Sequence, residues 1–288
     1  MVYQLLAAGI VSGAIYALVG LGLIVTFKAT DVISFAQGMM VVLGAYLGVT
    51  ASGTLGLNYG AAFVIAILGV ACVGWLADRL VYRPLLNAPH MVQVLATLAV
   101  ANVIQGAVVL IWGTSSHAFP PSARMNPVVT SPVVMTGQQI LIVLCAFAAM
   151  GLLTAFFGLT WWGKAVRAAS QNRIGASLSG IRISRVFSLA GVIAAMLGGL
   201  AGVLYGPMTL VDPSLDWLLV KGFAAAALGG LTSLPGAVLG GLLLGLLESL
   251  WSAALPAVWA PVLSYVLITI VLVAKPSGLL GGSVMRKL

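Results

Sequence analysis

Side chains able to do acid–base chemistry are scarce in this sequence. It has five Asp and Glu, two His and thirteen Lys and Arg in 288 residues. Glu248 is the one acidic residue well inside an apolar run. An ionisable group at membrane depth is by default a functional-site candidate. A proton relay through it would need titratable neighbours, and His90 and His117 both fall near segment ends. The competing reading is a neutral or lysine-paired Glu248 that fixes helix packing. Other polar groups interrupt the apolar sequence in two places. One is Ser34-Phe35-Ala36-Gln37-Gly38; the other is 231–241, where Thr232 and Ser233 precede Pro235. Freed backbone groups at membrane depth are tolerated where protein or a water-lined cavity satisfies them. Both stretches are therefore expected to line or support a solute path. Asn102 and Gln105 read as interhelical hydrogen-bonding groups.

No catalytic constellation is present. The sequence has no G-x-x-x-x-G-K-[ST] loop, no H-E-x-x-H and no G-x-S-x-G, so hydrolysis by those routes is not expected of this chain. No aspartate or cysteine cluster has metal-ligand spacing. Cys72 and Cys145 lie inside apolar runs and read as small packing residues.

The strongest signal is the stretch 162–185, WGKAVRAASQNRIGASLSGIRISR. It holds five of the thirteen Lys and Arg residues in a chain with only 6% charged residues. Helix–helix connections usually need about 2–8 residues, and this one is about three times longer. Helix is expected over 164–173 and again over 176–181, with Gly175 between and Leu178 and Ile181 exposed. Basic residues combined with exposed apolar ones suggest docking on a soluble partner rather than a plain connector.

Around these stretches lie nine apolar segments: 3–27, 32–50, 59–82, 92–112, 140–159, 186–205, 218–231, 238–255 and 262–274. With 61% hydrophobic residues, the bilayer must supply much of the apolar surroundings. The first segment lacks a basic flank and a small-residue cleavage site, and reads as a crossing rather than a removable signal. The net charge of +8 falls on short loops, which fits positive-inside topology and not nucleic-acid binding. Placing the insert in the cytoplasm puts every Lys and Arg there except Arg124 and Lys221. Asp212 and Asp216 then face outward. The expected architecture is an all-α polytopic membrane protein of about nine crossings, N-terminus periplasmic and C-terminus cytoplasmic, with broken helices. Residues 1–288 form one transmembrane domain carrying the insert. Segments one and two share a loose pattern with segments six and seven: a Gly-rich helix, an aromatic, an Asp, a Gly, then a small-residue helix. Their opposite orientations suggest an inverted repeat.

Three motifs carry a family resemblance. In order, ISFAQGMMVVLGAY, RAASQNRIGASLSGIRISRV and KGFAAAALGGLTSLPGAVLGGLLLGLLES resemble the permease subunits of bacterial branched-chain amino acid ABC transporters, specifically the H-type subunit. The resemblance implies a type II-like importer permease in the bacterial cytoplasmic (inner) membrane. It implies a coupling helix within Arg167-Ala168…Gly180-Ile181, with Ala168, Ala169, Asn172 and Gly175 toward an ATPase. The implied partners are a second, M-type permease, two ATP-binding subunits that hold ATP and Mg, and a periplasmic solute-binding protein meeting the Asp212–Asp216 face. The chain itself would hold no cofactor. Relatives often carry an acidic residue where this chain has Gln171 and Asn172. The implied solutes are branched-chain or other hydrophobic amino acids; urea, amides and carboxylic or aromatic acids are the alternatives. A rival of another class is an ion-coupled secondary carrier, which would need more intramembrane ionisable groups and no such insert.

Overall fold

The computed structural model describes residues 2–120, 126–129, 134–256, 259–275 and 278–280. Of the residues used to orient the chain, Arg124, Arg286 and Lys287 lie outside the described residues.

An apolar run without proline gives α1, Val2–Thr30. The chain then breaks. Asp31 adopts the left-handed conformation at φ 59°, which Asp tolerates better than most residues. Helix resumes as α2, Ala36–Val49, and continues as a π turn over Thr50–Thr54. Every residue of α2 except Leu47 is buried, as expected of a helix apolar on all sides. Next come α3 (Tyr59–Ala77), extended by a π turn over Asp78–Tyr82, and α4 (His90–Trp112). A short antiparallel pair, β1 (Pro127–Val129) and β2 (Met135–Thr136), precedes α5 (Gly137–Leu159). The basic insert forms α6 (Trp161–Gln171) and α7 (Arg173–Leu178). The rest is α8 (Ile183–Tyr205), two 3-10 turns (Gly206–Met208 and Pro213–Trp217), α9 (Leu218–Gly229), α10 (Leu234–Ala254) and α11 (Trp259–Ala274).

Each expected apolar segment coincides with a helix. Six of these helices are long and apolar enough to cross a membrane: α1, α4, α5, α10, α3 extended to Tyr82 and α8 extended to Met208. Several boundaries differ from expectation by a few residues, and two of these have a clear local cause. α10 begins at Leu234, not 238, because the Ser233 hydroxyl accepts from Gly236 N at 3.1 Å and Pro235 suits a first turn. The break inside the insert falls at Asn172, not Gly175. The Asn172 side chain accepts from Gly175 N at 2.9 Å and starts a second helix, leaving Gly175 inside α7.

The chain divides into two compact units. Unit 1 comprises 1–24, 121–150 and 220–288; unit 2 comprises 25–120 and 151–219. Within unit 1, α1 lies directly against α10: a Cβ at Gly13 would stand 2.7 Å from the Gly241 carbonyl oxygen. Within unit 2, α8 lies as closely on α2: a Cβ at Gly44 would stand 2.6 Å from Gly199 Cα. Small residues at such crossings let helix backbones touch. In each unit, glycines at one crossing bring two helix backbones into contact.

Candidate functional site

The insert is two-sided. On α6, Gly163, Ala165, Val166 and Ala169 are buried, while Lys164 and Arg167 are exposed and Ala168 is half-buried. Ala169 therefore faces into unit 2 and not toward a partner, a correction to the expected docking face. The reason is spacing: Ala165 and Ala169 are four residues apart and share the inner side of the helix. α7 repeats the division. Ala176 is buried and Arg173 turns inward, whereas Ile174 and Leu178 are 75% and 85% exposed. Those two, again four apart, form an apolar pair open to solvent. Ile181, expected to be exposed, is half-buried. Gly180 follows α7 with φ at 81°, a turn that suits glycine. Beside it, Trp161, Trp162, Arg182 and Arg185 line a groove of 280 Å³.

Within unit 2, the break before α2 opens a cavity of 70 Å³. Ser34 and Gln37 line it, with Thr26, Thr30, Asp78, Tyr82, Thr97 and Phe187. Three side chains knit its polar wall. The Ser188 hydroxyl donates to the Asp78 carboxylate. Arg83 Nη2 donates to Ser188 Oγ at 2.8 Å and stands 3.6 Å from Asp78. Asp78 is only 3% exposed, so a charged group at membrane depth is paired and hydrogen-bonded, as such groups must be. Sequence alone does not single out this cluster, because a charge near the end of an apolar segment is ordinarily solvated. The usable signal was an acid five residues before Arg83, which matches one turn of π-helix; the Arg83 N–H does donate to the Asp78 carbonyl at 2.7 Å.

The other expected path residues fall in several places. Gln37 is buried, and its amide donates to the Ala194 carbonyl of α8 at 3.0 Å. Gly38 is buried against the second 3-10 turn, where a Cβ would stand 2.9 Å from Leu219 Cβ and 3.1 Å from the Asp216 carbonyl oxygen. Gln37 thus lines the cavity and ties α2 to α8, while Gly38 keeps α2 close to the start of α9. Phe35 is partly exposed, and its N–H donates to Thr97 Oγ1 at 3.1 Å. Thr232 is exposed in the α9–α10 turn, and Ser233 caps α10. Asp212 accepts from Ser214 N at 2.8 Å and so starts the 3-10 turn that carries Asp216. Asp216 is exposed, and partial desolvation by the chain around it pushes its carboxyl above the usual carboxylate range; backbone N–H groups of Trp217 and Asp216 partly oppose this, and Asp212 adds to it.

Glu248 lies in unit 1. Its Oε1 is 2.7 Å from Lys221 Nζ, and its Oε2 accepts from the Tyr16 hydroxyl at 2.9 Å. Lys221, only 2% exposed, also sits 5.3 Å from the centroid of the Tyr265 ring. The lysine-paired reading of Glu248 is the one observed. Among the described residues no group of three His, Cys, Asp or Glu side chains could hold a metal ion.

Comparison with known proteins shows which family these apolar helices and the basic two-sided insert belong to. A family model described as "Branched-chain amino acid transport system / permease component" matches residues 5–275. The chain belongs to this permease family. It is 33% identical over 293 residues to the high-affinity branched-chain amino acid transport system permease protein LivH of Escherichia coli K12, covering 97% of this chain and 95% of that one. It is 31% identical to the corresponding permease protein BraD of Pseudomonas aeruginosa, covering 99% and 97%. A probable branched-chain amino acid transport permease protein, LivH of Methanocaldococcus jannaschii, is 27% identical over 96% of this chain. No solved structure matches the chain. The permease is a membrane protein of α-helices, and it belongs to a family of transport subunits rather than enzymes.

Proposed function

We propose that this permease forms half of the translocation path of an ATP-driven importer for branched-chain or other hydrophobic amino acids. The observation that carries the reading is the α6–α7 insert: basic, two-sided, and presenting Ile174 and Leu178 to solvent. An apolar pair exposed outside the spanning helices is best explained by a protein that covers it. The sequence has no nucleotide-binding loop, so the energy must come from a partner, and the insert is where an ATP-binding subunit docks.

The rest of the assembly follows from this reading. Two ATP-binding subunits hold ATP and Mg; this chain holds no cofactor. A second, homologous permease completes the path, and a periplasmic solute-binding protein delivers solute at the Asp212–Asp216 face. The N-terminus is periplasmic and the C-terminus cytoplasmic, with nine crossings in the bacterial cytoplasmic membrane. α2, α9 and α11 make up the three crossings beyond the six long helices, and residues 1–288 act as one transmembrane domain. A loose shared sequence pattern supports an inverted repeat relating α1–α2 to α8–α9. Ser34, Phe35, Thr232 and Ser233 border the path where helices break, with Gln37, Gly38 and Glu248 supporting it.

The test is uptake by proteoliposomes holding the permease, its neighbouring permease and ATP-binding subunits, and a cognate binding protein loaded with leucine. The reading requires uptake that depends on ATP inside the transporter's cytoplasmic face. Uptake driven by an ion gradient without ATP would refute it and favour a secondary carrier.

A further inference from the structure

α1 ends in unit 2, and its end has a requirement that residues near it in sequence do not meet in full. The last carbonyls of a helix lack intrahelical partners. At Thr30 the hydroxyl donates to the Thr26 carbonyl at 2.9 Å and accepts from Val32 N at 3.2 Å. The Asp31 N–H donates to the Phe27 carbonyl at 2.8 Å. The carbonyl of Thr30 itself is taken by a residue 143 positions away. Arg173 Nη2 donates to it at 2.7 Å. A cation at a helix C-terminus also meets the negative end of the helix dipole. The same guanidinium lies over the Phe187 ring, 5.0 Å from its centroid. One side chain of the insert thus holds both the end of α1 and the second turn of α8.

These two anchor points are not arbitrary. Thr30 and Phe187 both line the cavity that also contains Ser34, Gln37 and Asp78. On the other side of α7, Ile174 and Leu178 point to solvent. The helix is therefore fastened inward by Arg173 and open outward through the apolar pair. Packed interiors transmit displacement rather than absorb it, and the cavity gives the end of α1 and the start of α8 room to move.

We propose that Arg173 is the positioning residue that carries movement of the insert into α1 and α8, so that ATP-driven displacement of α7 reshapes the cavity before α2. This rests on the docking role of the insert proposed above. Arginine suits the task because its planar, always-charged fork can bond a carbonyl and stack on a ring at once. A lysine keeps the charge and one bond but not the stack.

The experiment uses the reconstituted complex and reads uptake per ATP hydrolysed, normalised to assembled complex. Arg173→Ala is expected to lower that ratio about five- to tenfold, within the range over which coupling between sites acts, while the ATP-binding subunit stays bound and hydrolysis continues. Arg173→Lys is expected to recover most of the ratio, and Phe187→Leu to lower it about two- to threefold. A merely structural Arg173 would reduce the amount of assembled complex and leave the ratio per complex unchanged. An unchanged ratio in Arg173→Ala overturns the proposal. If Arg173→Ala does not assemble, an unchanged ratio in both Arg173→Lys and Phe187→Leu overturns it equally. The docking role is tested separately: Leu178→Asp should release the ATP-binding subunit. Retention of that subunit by Leu178→Asp would overturn docking, whereas the Arg173 ratio reports only on the tether.

Discussion

Removing the Glu248 carboxylate should be among the most destabilising single changes in unit 1. Its partner Lys221 is 2% exposed, 2.7 Å away, with the face of Tyr265 as a further charge-stabilising neighbour. Taking one member from a buried ion pair leaves an uncompensated charge and costs about 3–5 kcal/mol. Loss of the Tyr16 hydrogen bond costs about 1 kcal/mol more, and the two effects overlap because they share one carboxylate. Glu248→Ala should therefore cost about 3–5 kcal/mol. Glu248→Gln keeps one carbonyl oxygen to accept from Lys221, and its NH2 can donate to the Tyr16 hydroxyl oxygen, so it should lose less. Lys221→Met combined with Glu248→Leu removes both charges and should regain most of the loss, since apolar replacement of a buried pair is often neutral or better. Thermal unfolding of the solubilised permease, followed by tryptophan fluorescence, gives the order: parent and double variant highest, Gln below, Ala lowest. A Glu248→Ala protein as stable as the parent, or a double variant less stable than Glu248→Ala, would refute the reasoning. Full stability with lost uptake would instead assign Glu248 to the solute path itself.

Gly38→Leu would drive a side chain into Leu219 and the Asp216 carbonyl, an overpacking cost of about 1–3 kcal/mol; membrane-inserted protein and uptake should fall together, and loss of uptake at normal protein level would argue for direct solute contact. Ala168→Trp should overfill the face of α6 toward an ATP-binding subunit and separate hydrolysis from uptake, while Lys164→Ala at the exposed rim should do little; intact assembly, hydrolysis and uptake in Ala168→Trp would refute the contact. A single cysteine at Leu178 should be labelled only from the cytoplasmic side, and labelling in intact cells by an impermeant reagent would reverse the orientation; the same test at Ser122, outside the described residues, should give periplasmic labelling. Because the folded protein raises the Asp216 carboxyl, its ionised form is disfavoured there, so Asp216→Asn should stabilise the permease slightly at neutral pH. That gain should fade as pH falls through the raised value toward the ordinary carboxylate range, where folded and unfolded chains both hold the proton; a gain persisting near pH ~3 would refute it.

The helices were legible because length and apolarity suffice to mark them. The break at Asp31–Ser34 and the turn before Pro235 were legible because polar groups and proline interrupt apolar sequence for few other reasons. The faces were not. Small residues occur on both the buried and the open sides of α6, so composition could not say that Ala169 turns inward while Ala168 remains half-open. Gln37 and Gly38 read in sequence as lining or supporting a path, but sequence could not say that the Gln37 amide also meets a carbonyl 157 positions away. Asp78 was missed because a charge near a segment end reads as wet. Only the fold shows it under Ser188 of α8 and Arg83.

Asp78 and Glu248 are better understood together than singly. Asp78 follows α3 and accepts from Ser188, a hydroxyl on the glycine-striped helix α8. Glu248 lies on α10 and accepts from Tyr16, a hydroxyl on the glycine-striped helix α1. Each acid also has a basic partner, Arg83 or Lys221. Within each unit the arrangement is the same: an acid, a hydroxyl from the helix packed by glycine, and a cation. Glycine contacts bring backbones close but leave rotation and sliding weakly fixed, since they bury few side-chain atoms. A charge-assisted hydrogen bond is directional and costly to leave unmade in an apolar interior. The acid–hydroxyl pair therefore supplies the register that the glycine stripe cannot. On this argument Ser188→Ala should shift α8 against α3 in unit 2 as Tyr16→Phe shifts α1 against α10 in unit 1. Cysteine pairs placed across each helix contact would read the shift as a changed crosslinking pattern. Crosslinking unchanged in both variants would leave glycine packing as sufficient to set register and would refute the shared role of the two acids.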